Sequence, residues 1–151
     1  MADTIRQQII TKIDTRLKTI LITNGYETDI GANVFDWRAE SLEEDDLPAL
    51  IYRDVQCLTE ISTLYPSFNN QMTVILLAVV TSDTPMTTIR KIIGDIDKAI
   101  GTDDRWDGLV LLTQRTGDES GVEIEEKKYA GCQMTMMVTF RTLGWNDYTV
   151  I

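Results

Sequence analysis

Four consecutive acidic residues are the first group in the sequence whose chemistry could be functional: Glu43, Glu44, Asp45 and Asp46. Carboxylate oxygens bind hard cations such as Ca²⁺ and Mg²⁺, and paired carboxylates can act as a general acid and base. A calcium-binding loop, however, interleaves its ligands and has a central glycine, whereas four adjacent acids point in different directions. The run therefore predicts a solvated loop, with a role in electrostatics or assembly as the alternative.

The sequence contains no histidine. This removes the Ser-His-Asp and Cys-His mechanisms, histidine-based zinc sites and histidine pH switches. The two cysteines, Cys57 and Cys132, lack the CxxC spacing of a zinc site, and they are predicted to be buried, reduced thiols. Catalysis would have to use carboxylates, lysines or tyrosines, and no catalytic constellation of these is evident. We expect a protein that is not an enzyme and that has no metal and no cofactor.

The stretch 116–121 (TGDESG) has two glycines but neither the spacing nor the lysine of a phosphate-binding loop. We interpret it as the turn of a β-hairpin. The exposed tip is a candidate docking surface for a partner, and it comprises Gly117, Asp118, Glu119 and Ser120.

Two further sets of side chains could be functional. Asp95 and Asp97 lie two positions apart on a predicted helix, so they diverge and are predicted to be surface charges. The tryptophans are each next to an acid or a polar turn, which makes them either semi-exposed contact residues or core anchors at a sheet edge: Trp37, Trp106 and Trp145.

The composition bounds the possible partners. Fourteen basic and 24 acidic residues among 151 give a formal charge of −10. Such a protein is a poor candidate for binding nucleic acid, because binding to the phosphates is driven by Lys and Arg. No apolar run approaches the ~20 residues that span a bilayer, and no secretory signal is evident. We expect a single intracellular domain, residues 1–151, without a membrane partner.

The elements that must position these side chains are visible as hydrophobic periodicity. Apolar residues at helical spacing predict a first helix over residues 4–22, with a Thr4 and Gln7 capping box and a stop at Asn24-Gly25. A short strand is predicted at 33–38 and a longer one at 49–58. Residues 72–81 form a continuous β-branched run, which predicts a central strand covered on both faces.

The second half of the chain predicts a helix and three closing strands. The helix is predicted to begin at Pro85, directly after a capping side chain, and to end at Gly101. Strands at 109–115 and 122–128 flank the predicted turn, and clean alternation over 132–142 predicts a half-buried antiparallel strand. The order predicts an α+β fold, with two main helices packed on one face of a mostly antiparallel sheet.

The arrangement resembles the tail terminator proteins of long-tailed bacteriophages. The similarity covers nearly the whole chain in architecture: an amphipathic helix, a strand of the type at 29–34 (DIGANV), an acidic loop, and a Leu-Pro-Ala-Leu strand at 46–54 (DLPALIYRD). A core strand, a second helix after Pro85, and a closing hairpin and strand then follow.

The resemblance implies a structural role in the virion, at the head-proximal end of the tail, after assembly in the host cytoplasm. Six copies would form a homo-hexamer ring that stops addition of tail tube protein and offers a surface to the head connector or stopper protein. DNA would pass through the hole without specific binding. The acidic loop, repeated six times, would then line or border the lumen or a subunit contact.

Three alternatives stay open at this stage. The chain could be another neck, head–tail connector or tail-completion protein of similar size and charge. It could be a hydrolase that uses paired acids such as Glu43 and Asp46, which would require a deep pocket with two facing carboxylates. It could also be an acidic adaptor that remains monomeric.

Overall fold

The computed structural model describes residues 2–61, 66–124 and 128–151. The main elements, in chain order, are α1 (Ile5–Leu17), β1 (Val34–Asp36), β2 (Ala49–Ile61), β3 (Ser67–Thr81), α2 (Pro85–Gly101), β4 (Leu112–Ile124), β5 (Lys128–Leu143) and β6 (Asn146–Val150). The prediction of an α+β fold with a mostly antiparallel sheet is confirmed.

The strands form one sheet in the order β1-β2-β3-β5-β4, and β6 pairs with the end of β5 that β4 leaves uncovered. Only the short β1–β2 pair is parallel. Both helices pack on one face of this sheet. Their isoleucines meet alternate residues of β3 and β5 in a single core: Ile9, Ile13, Ile89, Ile92 and Ile96 from the helices, Met72, Val74, Leu76 and Ala78 from β3, and Met134, Met136 and Val138 from β5.

Helix α1 begins as predicted but ends earlier. The Thr4 side chain accepts a hydrogen bond from the backbone N–H of Gln7 at 3.1 Å, although the Gln7 amide donates to Thr11 instead of completing a capping box. The helix ends at Leu17, and Gly31 packs closely against this end, where an added Cβ would lie 2.5 Å from the Leu17 carbonyl oxygen. The left-handed Gly25 ends a later 3-10 turn.

Strand β3 is central, but the prediction that both of its faces are covered is wrong. Burial alternates along the strand, so that Leu76 and Ala78 are buried while Ile75, Leu77 and Val79 are only partly buried. The side chains of the second set lie on the sheet face opposite the helices. A continuous apolar run therefore does not imply two covering layers within the described chain.

The predicted hairpin turn at 116–121 is also wrong. These residues lie inside β4, where Gly117, Asp118, Glu119 and Ser120 pair with four successive residues of β5: Thr135, Met134, Gln133 and Cys132. The register of β4 against β5 shifts between Arg115 and Gly117, and a glycine in a strand often marks such a bulge. The proposed docking tip is therefore part of a strand.

Within the described ranges, neither helix is both long enough and apolar enough to cross a bilayer.

Candidate functional site

The acidic run is an ordered turn. Glu44–Asp46 form a short 3-10 helix, and the Asp46 carboxylate accepts hydrogen bonds from the Glu43 backbone N–H at 2.8 Å and from the Arg38 guanidinium at 3.0 Å. Asn33 also donates to the Asp46 carbonyl oxygen. Asp46 is thus a structural residue of the turn, whereas the side chains of Glu43, Glu44 and Asp45 are exposed.

This geometry does not favour hydrolysis by paired acids. A general acid or base must face a substrate, but the Asp46 carboxylate is already occupied by Arg38 and by the backbone of Glu43. Among the residues that the structure describes, no group of three or more His, Cys, Asp or Glu side chains could hold a metal ion.

A second acidic cluster brings together residues that are far apart in the sequence. The Tyr52 hydroxyl donates to Asp14 at 2.9 Å, and the Trp37 indole N–H donates to Asp54 at 2.7 Å. Asp54 also forms an ion pair with Arg6 at 2.7 Å. No local sequence pattern could indicate this cluster, because α1 contributes Asp14 and β2 contributes Tyr52.

Burial and charge raise the pKa values of two residues here, Tyr52 and Asp36. Burial, together with the hydrogen bond to Asp14, raises the pKa of Tyr52 far above its ordinary value. The hydroxyl therefore stays neutral and acts as a donor. Burial, followed by repulsion from Asp54 and Asp14, raises the pKa of Asp36. The cluster fastens α1 to the sheet through Asp14 and Arg6.

The prediction that Asp95 is a surface charge is wrong. Asp95 is buried on α2, and its carboxylate accepts hydrogen bonds from the backbone N–H groups of Glu27 and Thr28 and from the Thr28 hydroxyl. Asp97 does lie at the surface, where it pairs with Arg115 at 3.4 Å. Asp95 thus holds the segment after α1 against α2.

The three tryptophans have different roles, although each has a positive φ angle. Trp106 is fully buried, donates to the Thr113 hydroxyl at 2.9 Å and lies 3.8 Å beneath the Arg16 guanidinium, so it is a core anchor. Trp37 is half exposed and belongs to the Asp54 cluster. Trp145 is 93% exposed.

We call the sheet face opposite the helices the open face, and the charges of its described side chains are balanced. Its side chains come from alternate positions of β2, β3, β5 and β4, and many are apolar or uncharged: Leu58, Thr73, Ile75, Leu77, Val79, Gln133, Thr135, Met137, Thr139, Leu112 and Gln114. The charged side chains that the structure describes on this face are two arginines and two glutamates: Arg53, Arg141, Glu60 and Glu119. Their formal charges cancel, whereas the whole chain has a formal charge of −10.

The same sheet has two unpaired edges at its opposite sides. Strand β1 covers only residues 50–52 of β2, so the outer edge of β2 from 55 to 61 has no strand partner in the described part of the chain. The outer edge of β4 over 112–121 also lacks a strand partner there. Exposed edges of this length are ready templates for pairing with another chain.

No known protein-family model matches the chain, and no curated protein sequence matches it significantly.

Proposed function

We propose that this protein is a ring-forming tail terminator of long-tailed bacteriophages. Six copies would cap the head-proximal end of the tail tube, stop its polymerisation and provide the joining surface for the head connector or stopper. The family resemblance supplies this identity, and the two unpaired sheet edges are the structural observation that supports it.

A ring requires two different surfaces on each subunit, because every contact in it is heterologous. The edge of β2 at 55–61 and the edge of β4 at 112–121 lie on opposite sides of the same sheet, so one could pair with the other on the next subunit. Repetition of that contact closes a ring when the rotation between subunits divides a full turn.

The charge distribution is compatible with this arrangement. Acidic subunits repel one another, and the open face is a surface on which the described formal charges cancel. Contacts through this face and its edges would reduce this repulsion. The exposed carboxylates of Glu43, Glu44 and Asp45 would give the ring a negative lumen or rim, past which DNA phosphates slide without binding.

The first test compares two aliphatic residues whose side chains are almost equally exposed. Leu58 lies on the unpaired part of β2 and is 55% exposed, whereas Ile22 lies beyond the C-terminal end of α1 and is 56% exposed. We expect Leu58→Lys to abolish the six-subunit species in native mass spectrometry and Ile22→Lys to leave it intact. An unchanged hexamer in Leu58→Lys would exclude this edge from the interface.

Binding to tube ends separates a terminator from other neck proteins, which could form similar rings. Purified tail tubes incubated with the protein should carry it at one end only and should stop elongating when tube protein is added. A ring that leaves tube elongation unchanged would contradict the terminator function and favour a connector or another tail-completion factor.

A further inference from the structure

A groove of about 540 Å³ lies where β2, β3 and the β5–β6 turn meet. A second depression shares Thr59, Asn70 and Asp147 with this groove and reaches Thr4 and Arg6 at the start of α1. The groove is therefore on the helix side of the sheet, beyond the N-terminal end of α1, and it is distinct from the open face. Its size falls within the range of about 300–1,000 Å³ that is typical of ligand clefts.

One wall of this groove is aromatic. Trp145 stands edge-on to Phe68, with ring centroids 5.4 Å apart and planes at 74°. Trp145 is 93% exposed, so this single ring contact covers little of its indole. Ile61 and Pro66 contribute further apolar surface to the lining.

The backbone holds this tryptophan in an unfavourable conformation. Trp145 has φ 63°, in the left-handed region that a bulky side chain rarely adopts. The preceding Gly144 cannot be replaced easily, because a Cβ there would lie 2.8 Å from the Pro66 carbonyl oxygen. Trp145 is the second of the two residues that connect Leu143 to Asn146, a position at which tight turns often need a positive φ, so the turn itself presents the indole to solvent.

The charge of the groove is one-sided. Asp147 is the acid on the helix side of this groove, because Glu60, although it borders the groove, has its side chain on the open face beside Arg141. The described residues of the lining include no lysine or arginine. The nearest basic residue in the adjoining depression, Arg6, is already paired with Asp54, with 2.8 Å between its Nε and the carboxylate. The site thus combines an exposed indole, apolar walls and the carboxylate of Asp147.

We propose that this groove binds an apolar segment of a partner protein that carries an arginine or a lysine. The cation would stack on the Trp145 indole within reach of Asp147, and its aliphatic stem would lie along Ile61 and Pro66. An acidic segment would be repelled, and a purely apolar one would leave the Asp147 carboxylate without a partner. The site does not depend on ring formation.

The probe for this site is a fluorescein-labelled nine-residue peptide of alternating leucine and arginine. Two matched peptides replace arginine by its neutral isostere citrulline or by glutamate. Fluorescence anisotropy with the full-length protein should show the tightest binding for the arginine peptide and no binding for the glutamate peptide.

Variants of the protein then locate the binding. Asparagine tolerates the left-handed region, so Trp145→Asn should keep the fold, as checked by its circular dichroism, and should weaken binding of the arginine peptide by about 30-fold. Asp147→Asn should weaken it by about 5-fold and reduce its salt dependence. Tyr148→Asn is the matched control: Tyr148 is an exposed aromatic that alternation along β6 places on the other face from Asp147, and this substitution should change nothing.

Three results would overturn the proposal. Equal affinity for the arginine and citrulline peptides would remove the charge requirement. Equal binding to the wild type and Trp145→Asn would show that the acidic surface attracts the peptide nonspecifically. An absence of peptide binding, with self-association that Trp145→Asn abolishes, would assign the groove to a second copy of the chain.

Discussion

At the scale of single residues, two aspartates on one helix show how position decides function. Asp95 and Asp97 are both on α2, yet Asp95 is buried with three hydrogen-bond donors around it and Asp97 pairs with Arg115 at the surface. Their spacing correctly indicates that they diverge. Which of them points inward depends on the segment at Thr28, which is distant in the sequence and therefore invisible to a pattern on the helix.

These two residues provide a matched prediction. Asp95→Ala leaves the N–H groups of Glu27 and Thr28 and the Thr28 hydroxyl without an acceptor, so we expect the free energy of unfolding to fall by about 3 kcal/mol. Asp97→Ala removes only a surface ion pair and should cost less than about 1 kcal/mol. Urea unfolding at neutral pH measures both, and equal losses would contradict the anchoring role of Asp95.

At the scale of elements, β3 pairs with both β2 and β5 and also packs against the helix layer. Its apolar residues serve two purposes, because alternate side chains enter the core while the others form the open face. The same strand thus stabilises the subunit with one face and leaves its other face available for the proposed assembly.

Adjacent leucines on β3 test this division. Leu76 is buried in the core, so Leu76→Ala should lower the free energy of unfolding by about 3 kcal/mol or more. Leu77 is only partly buried on the open face, so Leu77→Ala should cost the monomer about 1 kcal/mol. Denaturation at a concentration below that of assembly makes the comparison, and similar losses would mean that the open face is covered within the subunit.

The same elements show what the sequence can predict. Helical periodicity, the Thr4 cap and Pro85 located both helices, although the predicted capping side chain before Pro85 makes no capping hydrogen bond. Alternation located the closing strand, because such signals are local. The turn assigned to 116–121 was misplaced because glycines mark strand bulges as well as turns. The groove at Trp145 could not be predicted, since β2, β3 and the β5–β6 turn meet there only in the folded chain.

At the scale of the whole molecule, the formal charge of −10 would set the conditions for the proposed assembly. Subunits that approach through a surface of cancelling charges still carry their excess acids nearby, so repulsion opposes the proposed ring over distances comparable to the Debye length. The apolar and edge contacts must exceed this repulsion. The balance between the two should therefore depend on ionic strength.

Salt should strengthen assembly of the wild-type protein. The Debye length falls from about 10 Å at 0.1 M to about 3 Å at 1 M ionic strength, so most of the repulsion between subunits is screened over this range while apolar burial persists. In sedimentation velocity experiments, we expect the protein concentration at which half of the subunits are assembled to be at least about tenfold lower in about 1 M NaCl than in about 0.1 M NaCl. MgCl₂ at equal ionic strength separates screening from specific binding, since screening alone predicts a similar shift. Assembly that weakens as NaCl rises would show instead that charge attraction, not edge and apolar contact, holds the subunits together.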